Sequence, residues 1–295
     1  MQNTLKRGAI VVNQYGRQNL SIAQATRIKE EFSVLGLNVP IIKTEELGYI
    51  IDKDKITSKY SGLDFAVYLD KDKYFSEVLT SLGIKLFNSH NAIRLCDDKG
   101  RTYIALANAG IKVPKTILAP LCYMENQEIS LETAQEIGKE LSYPVIVKES
   151  YGSLGQGVYM AKTDGELLTL INALKLKPHL YQEYIGAKKG EDIRVIMVGG
   201  KVIASMKRTN PNDFRSNVYQ GGNTKKFDLP KTYINTCEKV SKLLGLDYCG
   251  IDLLEDGTTE PVVCEVNSNA FFEGIEKATG VNVAKTYVEY IIKNI

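Results

Sequence analysis

The sequence predicts an α/β (α+β) fold, and three features of the 295-residue chain carry that prediction. Short apolar runs alternate with helical patterns over roughly the first 90 residues, as in a parallel sheet built from strand–helix units. Val145-Ile146-Val147-Lys148 and Val158-Tyr159-Met160-Ala161 read as strands enclosing a glycine-rich loop, Gly152-Ser153-Leu154-Gly155-Gln156-Gly157. Gly199-Gly200 separates two further strand-like runs, a strong hairpin signal.

In chain order, Gly8-Ala9-Ile10-Val11-Val12 is a continuous apolar run, expected of a strand buried on both faces. Ile22, Ala25, Ile28 and Phe32 recur at helical spacing over 20–35, with Ser21 as cap and Gly36 as stop. Strands are expected at 39–42, 65–69 and 85–87, and a helix at 73–82 stopping at Gly83. This unit has no glycine fingerprint of its own. A polar joint at 88–91 leads to helices at 92–96 and 99–109, and Pro114 begins an extended piece. A helix at 129–141 precedes the strand ending in Lys148, and a helix at 165–176 carries Asp164 as cap. A strand at 179–185 runs into Gly186, and the glycine-linked strands cover 192–198 and 201–206. Residues 207–226 form the longest stretch without apolar periodicity, and loops of that length are usually functional or disordered. A helix at 231–244, strands at 248–254 and 261–267, and a helix at 283–292 capped by Asn282 complete the chain.

Bulk composition excludes several classes. Thirty-seven basic and 35 acidic residues leave a net charge of +2, which argues against a nucleic-acid surface. No apolar run approaches a membrane span, and residues 1–7 lack a signal-peptide apolar region, so the expected location is cytoplasmic. The five cysteines show no C-x-x-C pairing; Cys249 and Cys264, in apolar runs, read as small buried hydrophobes. The two histidines, His90 and His179, are far apart, which disfavours a histidine metal site or triad.

The glycine loop is not a Walker loop, because Val158-Tyr159 stands where Lys-Ser/Thr is required. Its G-x-x-G-x-G order and following strand also differ from a dinucleotide fingerprint. It can turn N–H groups toward phosphate, with Lys148 reaching the same anion. A solvent-exposed hairpin turn accounts for the same residues. Residues 201–226 hold six basic residues and one acidic, which suggests an anion site or a solvated hairpin edge. Glu265 and Asn267, two apart, share one strand face, and a hairpin could bring Asp252 onto it. Two carboxylates and an amide oxygen suit Mg²⁺ or Mn²⁺; neutralisation by Arg or Lys neighbours is the alternative. Lys99, at a helix start after Asp97-Asp98, reads by spacing alone as a solvated lysine.

Taken together these residues resemble the ATP-grasp superfamily, and within it the RimK-like carboxylate–amine ligases of the alpha-L-glutamate ligase group. The motifs are Asp213-Phe214-Arg215-Ser216-Asn217, Gly221-Gly222, Glu265-Val266-Asn267 and Glu273-Gly274-Ile275-Glu276-Lys277-Ala278-Thr279-Gly280, with Val147-Lys148 and Gln182-Glu183-Tyr184-Ile185 in the same order. The resemblance implies an N-terminal α/β domain (1–90), a central ATP-grasp lid (91–180) and a C-terminal, mainly antiparallel subdomain (181–295). It implies ATP, with Mg²⁺ or Mn²⁺ as two ions held by Asp252, Glu265 and Asn267. Lys99, Lys148, Gly155 and Gly157 would meet phosphates. Gln182, Glu183, Tyr184 and Ile185 would lie at the adenine hinge and Asp192 at the ribose. Arg208, Arg215, Ser216 and Asn217 would be further nucleotide or intermediate contacts, with Arg215 and Lys148 catalytic.

The implied reaction forms an amide through an acylphosphate, with L-glutamate or another amino acid as one substrate. It requires no enzyme nucleophile, which agrees with the absence of a Ser/His or Cys/His arrangement. Amino-acid or peptide-like carboxylate and amine substrates are the expected partners, the acceptor being a protein tail, a peptide or a cofactor. Neither nucleic acid nor membrane is expected, and a homo-oligomer is compatible with the sequence. Where relatives have a Ser-Pro-Gly-like turn, this chain has Ser268-Asn269-Ala270-Phe271-Phe272, which puts two aromatics at the substrate end and leaves the acceptor open. The competing readings are a ligase acting on a ribosomal peptide or cofactor tail, a small-molecule kinase, and an inactive nucleotide-binding regulator.

Overall fold

The computed structural model describes residues 6–16, 18–44, 48–153, 155–216 and 222–295. In its N-terminal part, β1 (Gly8–Val12), β2 (Ile41–Lys43), β5 (Phe65–Leu69) and β6 (Lys85–Phe87) form a parallel sheet in the order β2-β1-β5-β6. The apolar runs are continuous because both faces are covered. Ile10, Val12, Val67 and Leu69 pack on one face with Ala25, Ile28 and Phe32 of α1 (Gln18–Val34). Ala9, Val11, Ala66 and Tyr68 pack on the other with Phe75 and Leu79 of α2 (Lys73–Ser81). A hairpin of β3 (Tyr49–Asp52) and β4 (Lys55–Ser58) was not anticipated. Its turn uses Lys53 at φ +53° rather than a glycine, so the usual signal was missing.

The central sheet is antiparallel in the order β7-β10-β8-β9, from β7 (Thr116–Leu118), β8 (Val145–Glu149), β9 (Val158–Ala161) and β10 (His179–Glu183). Val145, Val147 and Tyr181 pack beneath α5 (Leu131–Leu141) and α6 (Asp164–Leu174). The cap of α6 is Thr163, not Asp164: the Thr163 side chain accepts from the Glu166 N–H. Asp164 sits in the first turn instead, where its carboxylate accepts from the Tyr143 hydroxyl (2.7 Å). Position 180 falls inside β10, which pairs with both β7 and β8.

The C-terminal sheet is antiparallel in the order β13-β12-β11-β14-β15. Its strands are β11 (Glu191–Val198), β12 (Lys201–Thr209), β13 (Asn223–Lys226), β14 (Tyr248–Leu254) and β15 (Val262–Asn267). Gly199 and Gly200 stand at φ +55° and +76°, as a two-residue hairpin turn requires. The expected long loop is therefore shorter than 207–226, because β12 continues to Thr209 and β13 pairs with it. One face of the sheet buries Ile193, Val195, Cys249, Ile251 and Val263 against α7 (Lys231–Leu243). α3 (His90–Asp97) and α4 (Lys99–Asn108) contribute Ala92, Cys96 and Leu106 to this same core. The other face is divided. Ile196, Val198, Ala204 and Tyr248 join the N-terminal core through Tyr287, Val288 and Ile291 of α9 (Val283–Lys293). Each buried Val or Ile side chain among them contributes roughly 1.5–3 kcal/mol relative to exposure. The remaining half of that face carries charged residues and stays uncovered by the core. α8 (Glu273–Thr279) lies beside it and was not expected as a helix; it has no side-chain cap.

Candidate active site

A cavity of about 800 Å³ lies between the central sheet, the charged half of the C-terminal sheet and the end of the N-terminal sheet. Strand alternation decides what its roof presents. Val145 and Val147 enter the core beneath α5 and α6, so Ile146 and Lys148 face the cavity, as does Gln182 opposite Ile146. The Lys148 ammonium is buried, 3.4 Å from the Tyr103 hydroxyl and 3.7 Å from Cys264 Sγ. Tyr103 in turn donates to the Cys264 carbonyl, which fixes the group beneath the lysine.

The glycine loop is a turn between paired strands. Gly155 and Gly157 have φ of +76° and +69°. The Gly157 carbonyl accepts from the Glu149 N–H (2.8 Å), and a Cβ at Gly157 would stand 3.0 Å from Glu149. Two cations reach this loop from elsewhere. Lys99, first residue of α4, donates to the Gly152 carbonyl (3.1 Å) and lies 3.9 Å from Glu265. Burial pushes its ammonium below the ordinary lysine range, with Glu265 opposing. It lines a narrow cleft beside the cavity with Tyr103 and Glu265 rather than the cavity itself, and is not the solvated residue that spacing suggested. Arg215 Nη1 donates to the Gly155 carbonyl (3.1 Å) while Nε and Nη2 grip the two oxygens of Asp213.

At the end of β10, Gln182, Glu183, Tyr184 and Ile185 all line the cavity. Two of the side chains are used structurally: Gln182 Nε2 donates to Thr116 (2.8 Å), and the Glu183 carboxylate accepts from the Lys115 N–H (2.7 Å). The Tyr184 hydroxyl is buried and has no hydrogen-bond partner among the described residues.

The floor is an alternating array of charge. Asp192 and Arg194 project from β11, Arg208 from β12, and Asp252 from β14. Arg194 grips both oxygens of Asp252, one by Nε and the other by Nη2 at 2.7 Å. Arg208 binds Asp192 and reaches Asp252 at 2.9 Å. Burial alone would raise the Asp252 carboxyl, but the Arg194 and Arg208 guanidiniums overcome it and hold it at about 2. Opposite, Asp252 pairs in register with Glu265, and Gly250 with Asn267, so Asp252 joins the face that the spacing predicted Glu265 and Asn267 to share. Their donors are hard oxygens at a cavity wall and fit a hard divalent cation, which must displace arginine from Asp252 to reach it.

Several expectations change. Cys264 is not a simple buried hydrophobe. The β14–β15 register shifts beside Asp252, so Cys264 is the extra residue of a β-bulge. Cys264 and Glu265 therefore both line the cavity, while Val263 and Val266 remain in the core. Most of the six basic residues of 201–226 are held by carboxylates. Lys201 meets Glu238, Lys207 meets Glu191 and Glu255, Arg208 meets Asp192, and Arg215 meets Asp213. Of the two aromatics at the substrate end, Phe271 lines the cavity but Phe272 is in the core. Ser216 is buried at the cavity wall; Leu154, Asn217 and Gly221 lie outside the described residues. Arg194 was overlooked. Its signal was legible, since it stands two from Asp192 in a strand that is apolar from Val195 onward, the same spacing as Glu265 and Asn267. Tyr103 had no comparable signal.

Residues 96–291 match the RimK-like ATP-grasp domain family. A probable alpha-L-glutamate ligase of Psychromonas ingrahamii is 32% identical over 291 residues, covering 94% of this chain and 93% of that protein. A probable alpha-L-glutamate ligase of Maridesulfovibrio salexigens is 38% identical over 216 residues, covering 72% and 69%. The solved structure of ATP-grasp ligase PsnB complexed with a phosphomimetic variant of minimal precursor, Mg and ADP superposes with a TM-score of 0.68. At 16% identity over 98% of both chains, that is a likeness of fold.

Proposed function

The chain belongs to the RimK-like ATP-grasp family of ligases, which use ATP to form carbon–nitrogen bonds, and from that premise we propose how this cavity joins a carboxylate to an amine. The observation that carries the proposal is convergence: Lys148 and the glycine loop above, Arg208 and Arg215 at the side, and Asp252 with Glu265 below all border one cavity. That arrangement suits a polyphosphate and its cation.

In this reading ATP lies between the central and C-terminal sheets. The β10–Ile185 backbone reads the adenine edge and Asp192 meets the ribose. Lys99, Lys148, Gly155 and Gly157 hold phosphate, with Arg208 and Ser216 as further nucleotide contacts. Asp252, Glu265 and Asn267 would hold Mg²⁺ or Mn²⁺, as two ions; the cation neutralises charge on the phosphates. A substrate carboxylate oxygen attacks the γ-phosphorus, the bond to the β–γ bridging oxygen breaks, and ADP leaves. The amine nitrogen attacks the acylphosphate carbon, the carbon–oxygen bond to phosphate breaks, and the nitrogen loses a proton. Arg215, tied to the flap at Gly155, stabilises the charge of the acylphosphate and of the tetrahedral species. No protein atom forms a covalent bond, so the chain acts by positioning and charge.

L-Glutamate as the added amino acid is supported by the relatives, which are named probable alpha-L-glutamate ligases. A peptide or cofactor tail as acceptor is favoured by Asn269 and Phe271 at the substrate end, where Phe271 offers apolar contact to something larger than free glutamate. The test is ADP release across a panel of carboxylates and amines, with products read by mass and Asp252→Asn as control. Release that needs both partners, with a product equal to their sum less water, supports the ligase. A stable phosphorylated product formed without an amine would replace it with a kinase.

A further inference from the structure

The cavity has a second end that the nucleotide reading leaves unused. In the order β2-β1-β5-β6 the chain leaves β1 in one direction and returns on its other side, so the loops after β1 and β5 flank a topological switch point. Those loops, through Asn13, Asp70 and Lys71, line the same cavity. The Asn13 amide is held in one orientation: its Oδ1 accepts from the Tyr15 N–H (2.7 Å) and its Nδ2 donates to Asp70 Oδ2 (2.9 Å). Asp70 Oδ1 accepts from the Lys71 N–H (2.7 Å). The Asp72 backbone N–H also points to this carboxylate, so both oxygens are fixed, and of about four acceptor positions one stays open.

Among the described residues no cation pairs with this carboxylate. The Lys71 ammonium turns to Asp97 (3.7 Å), and Lys277 across the cavity meets Glu273. Burial pushes the Asp70 carboxyl above the usual range, and Asp72 adds repulsion. Facing this end, the Asn269 Oδ1 is also buried without a partner among the described residues. Fixed oxygen acceptors with no answering positive charge form a site for a cation that donates hydrogen bonds.

We propose that Asp70, braced by Asn13, binds the ammonium group of the amine-bearing substrate, an amino acid or peptide entering from the N-terminal side. This rests on the ligase reading above and specifies where the second substrate is recognised. Asp70 is here a specificity-determining residue: it binds the amine before that group gives up its proton and attacks. Amines that are uncharged at neutral pH have no need of it.

The test compares wild type with Asp70→Asn in ADP formation at saturating ATP. N-acetylated amino acids supply the carboxylate, and each free amino acid in turn supplies the amine. Hydroxylamine, uncharged at neutral pH, serves as the alternative nucleophile. The expected result is a KM for the amino-acid amine raised at least tenfold, an unchanged KM for ATP, and unimpaired hydroxamate formation, which also shows that the variant folds. An unchanged amine KM, or an equal loss with hydroxylamine, would overturn the assignment while leaving the ligase intact. Wild-type protein that forms no ADP with any pair, hydroxylamine included, would sink the ligase reading and this assignment with it.

Discussion

Replacing Asp252 by Asn should destabilise the protein more than removing Arg194, the arginine that grips it bidentately. Asp252 is shared: Arg194 grips it bidentately and Arg208 touches it at 2.9 Å. Arg208 also has Asp192, whereas Asp252 is the one carboxylate paired with Arg194 among the described residues. Asp252→Asn therefore strands a buried guanidinium, a loss of about 3 kcal/mol, at the low end for a broken buried pair because the amide oxygen still accepts one hydrogen bond. Arg194→Met leaves Asp252 with Arg208 and should cost about 1–2 kcal/mol. A fall in carboxyl pKa from 3.8 to about 2 corresponds to roughly 2 kcal/mol of charge-dependent stability. The sign follows from that depression: the contribution is full above the unfolded value near pH 4 and is lost as pH falls through the folded value near pH 2. Urea unfolding followed by far-UV circular dichroism and tyrosine fluorescence, at neutral pH and again near pH 3, measures both effects; the chain has 17 tyrosines and no tryptophan. The gap between wild type and Asp252→Asn should narrow in acid. Arg194→Met costing as much as Asp252→Asn would refute the asymmetry, and a pH-independent gap would refute its electrostatic origin.

Three further outcomes are expected. Arg215→Ala should keep nucleotide affinity within a few-fold and lower ADP formation at least a hundredfold, as removal of one charge-stabilising donor does; strong residual turnover would refute its role. Gly157→Ala should weaken nucleotide binding roughly tenfold in a titration of ATP, because φ +69° and Glu149 at 3.0 Å both oppose a side chain there; unchanged affinity would show that the loop tolerates rearrangement. Withdrawal of divalent cations by a chelator should abolish ADP formation and be reversed by Mg²⁺, with Asp252→Asn requiring a higher concentration; chelator-resistant turnover would remove Asp252, Glu265 and Asn267 from the cation site.

What the sequence determined is what local physics controls. Apolar runs gave β1 and β5, paired positive-φ glycines gave the β11–β12 turn, and two-residue spacing placed Glu265 and Asn267 on one face. The motif order gave the family, because several short segments had to agree. Tertiary structure decided the rest, for one physical reason. Which charges cancel depends on strand register between residues far apart in the chain, and no local pattern encodes it. Register put Arg194 on Asp252 across 58 positions, and across the β11–β12 pair it put Arg208 on Asp192 and Lys207 beside Glu191. A single bulged residue moved Cys264 from the core to the cavity. The fold also brought Asp70, in a segment with no motif at all, to the far end of a cavity whose roof and floor come from Pro114 onward in sequence, and placed no cation on its carboxylate among the described residues.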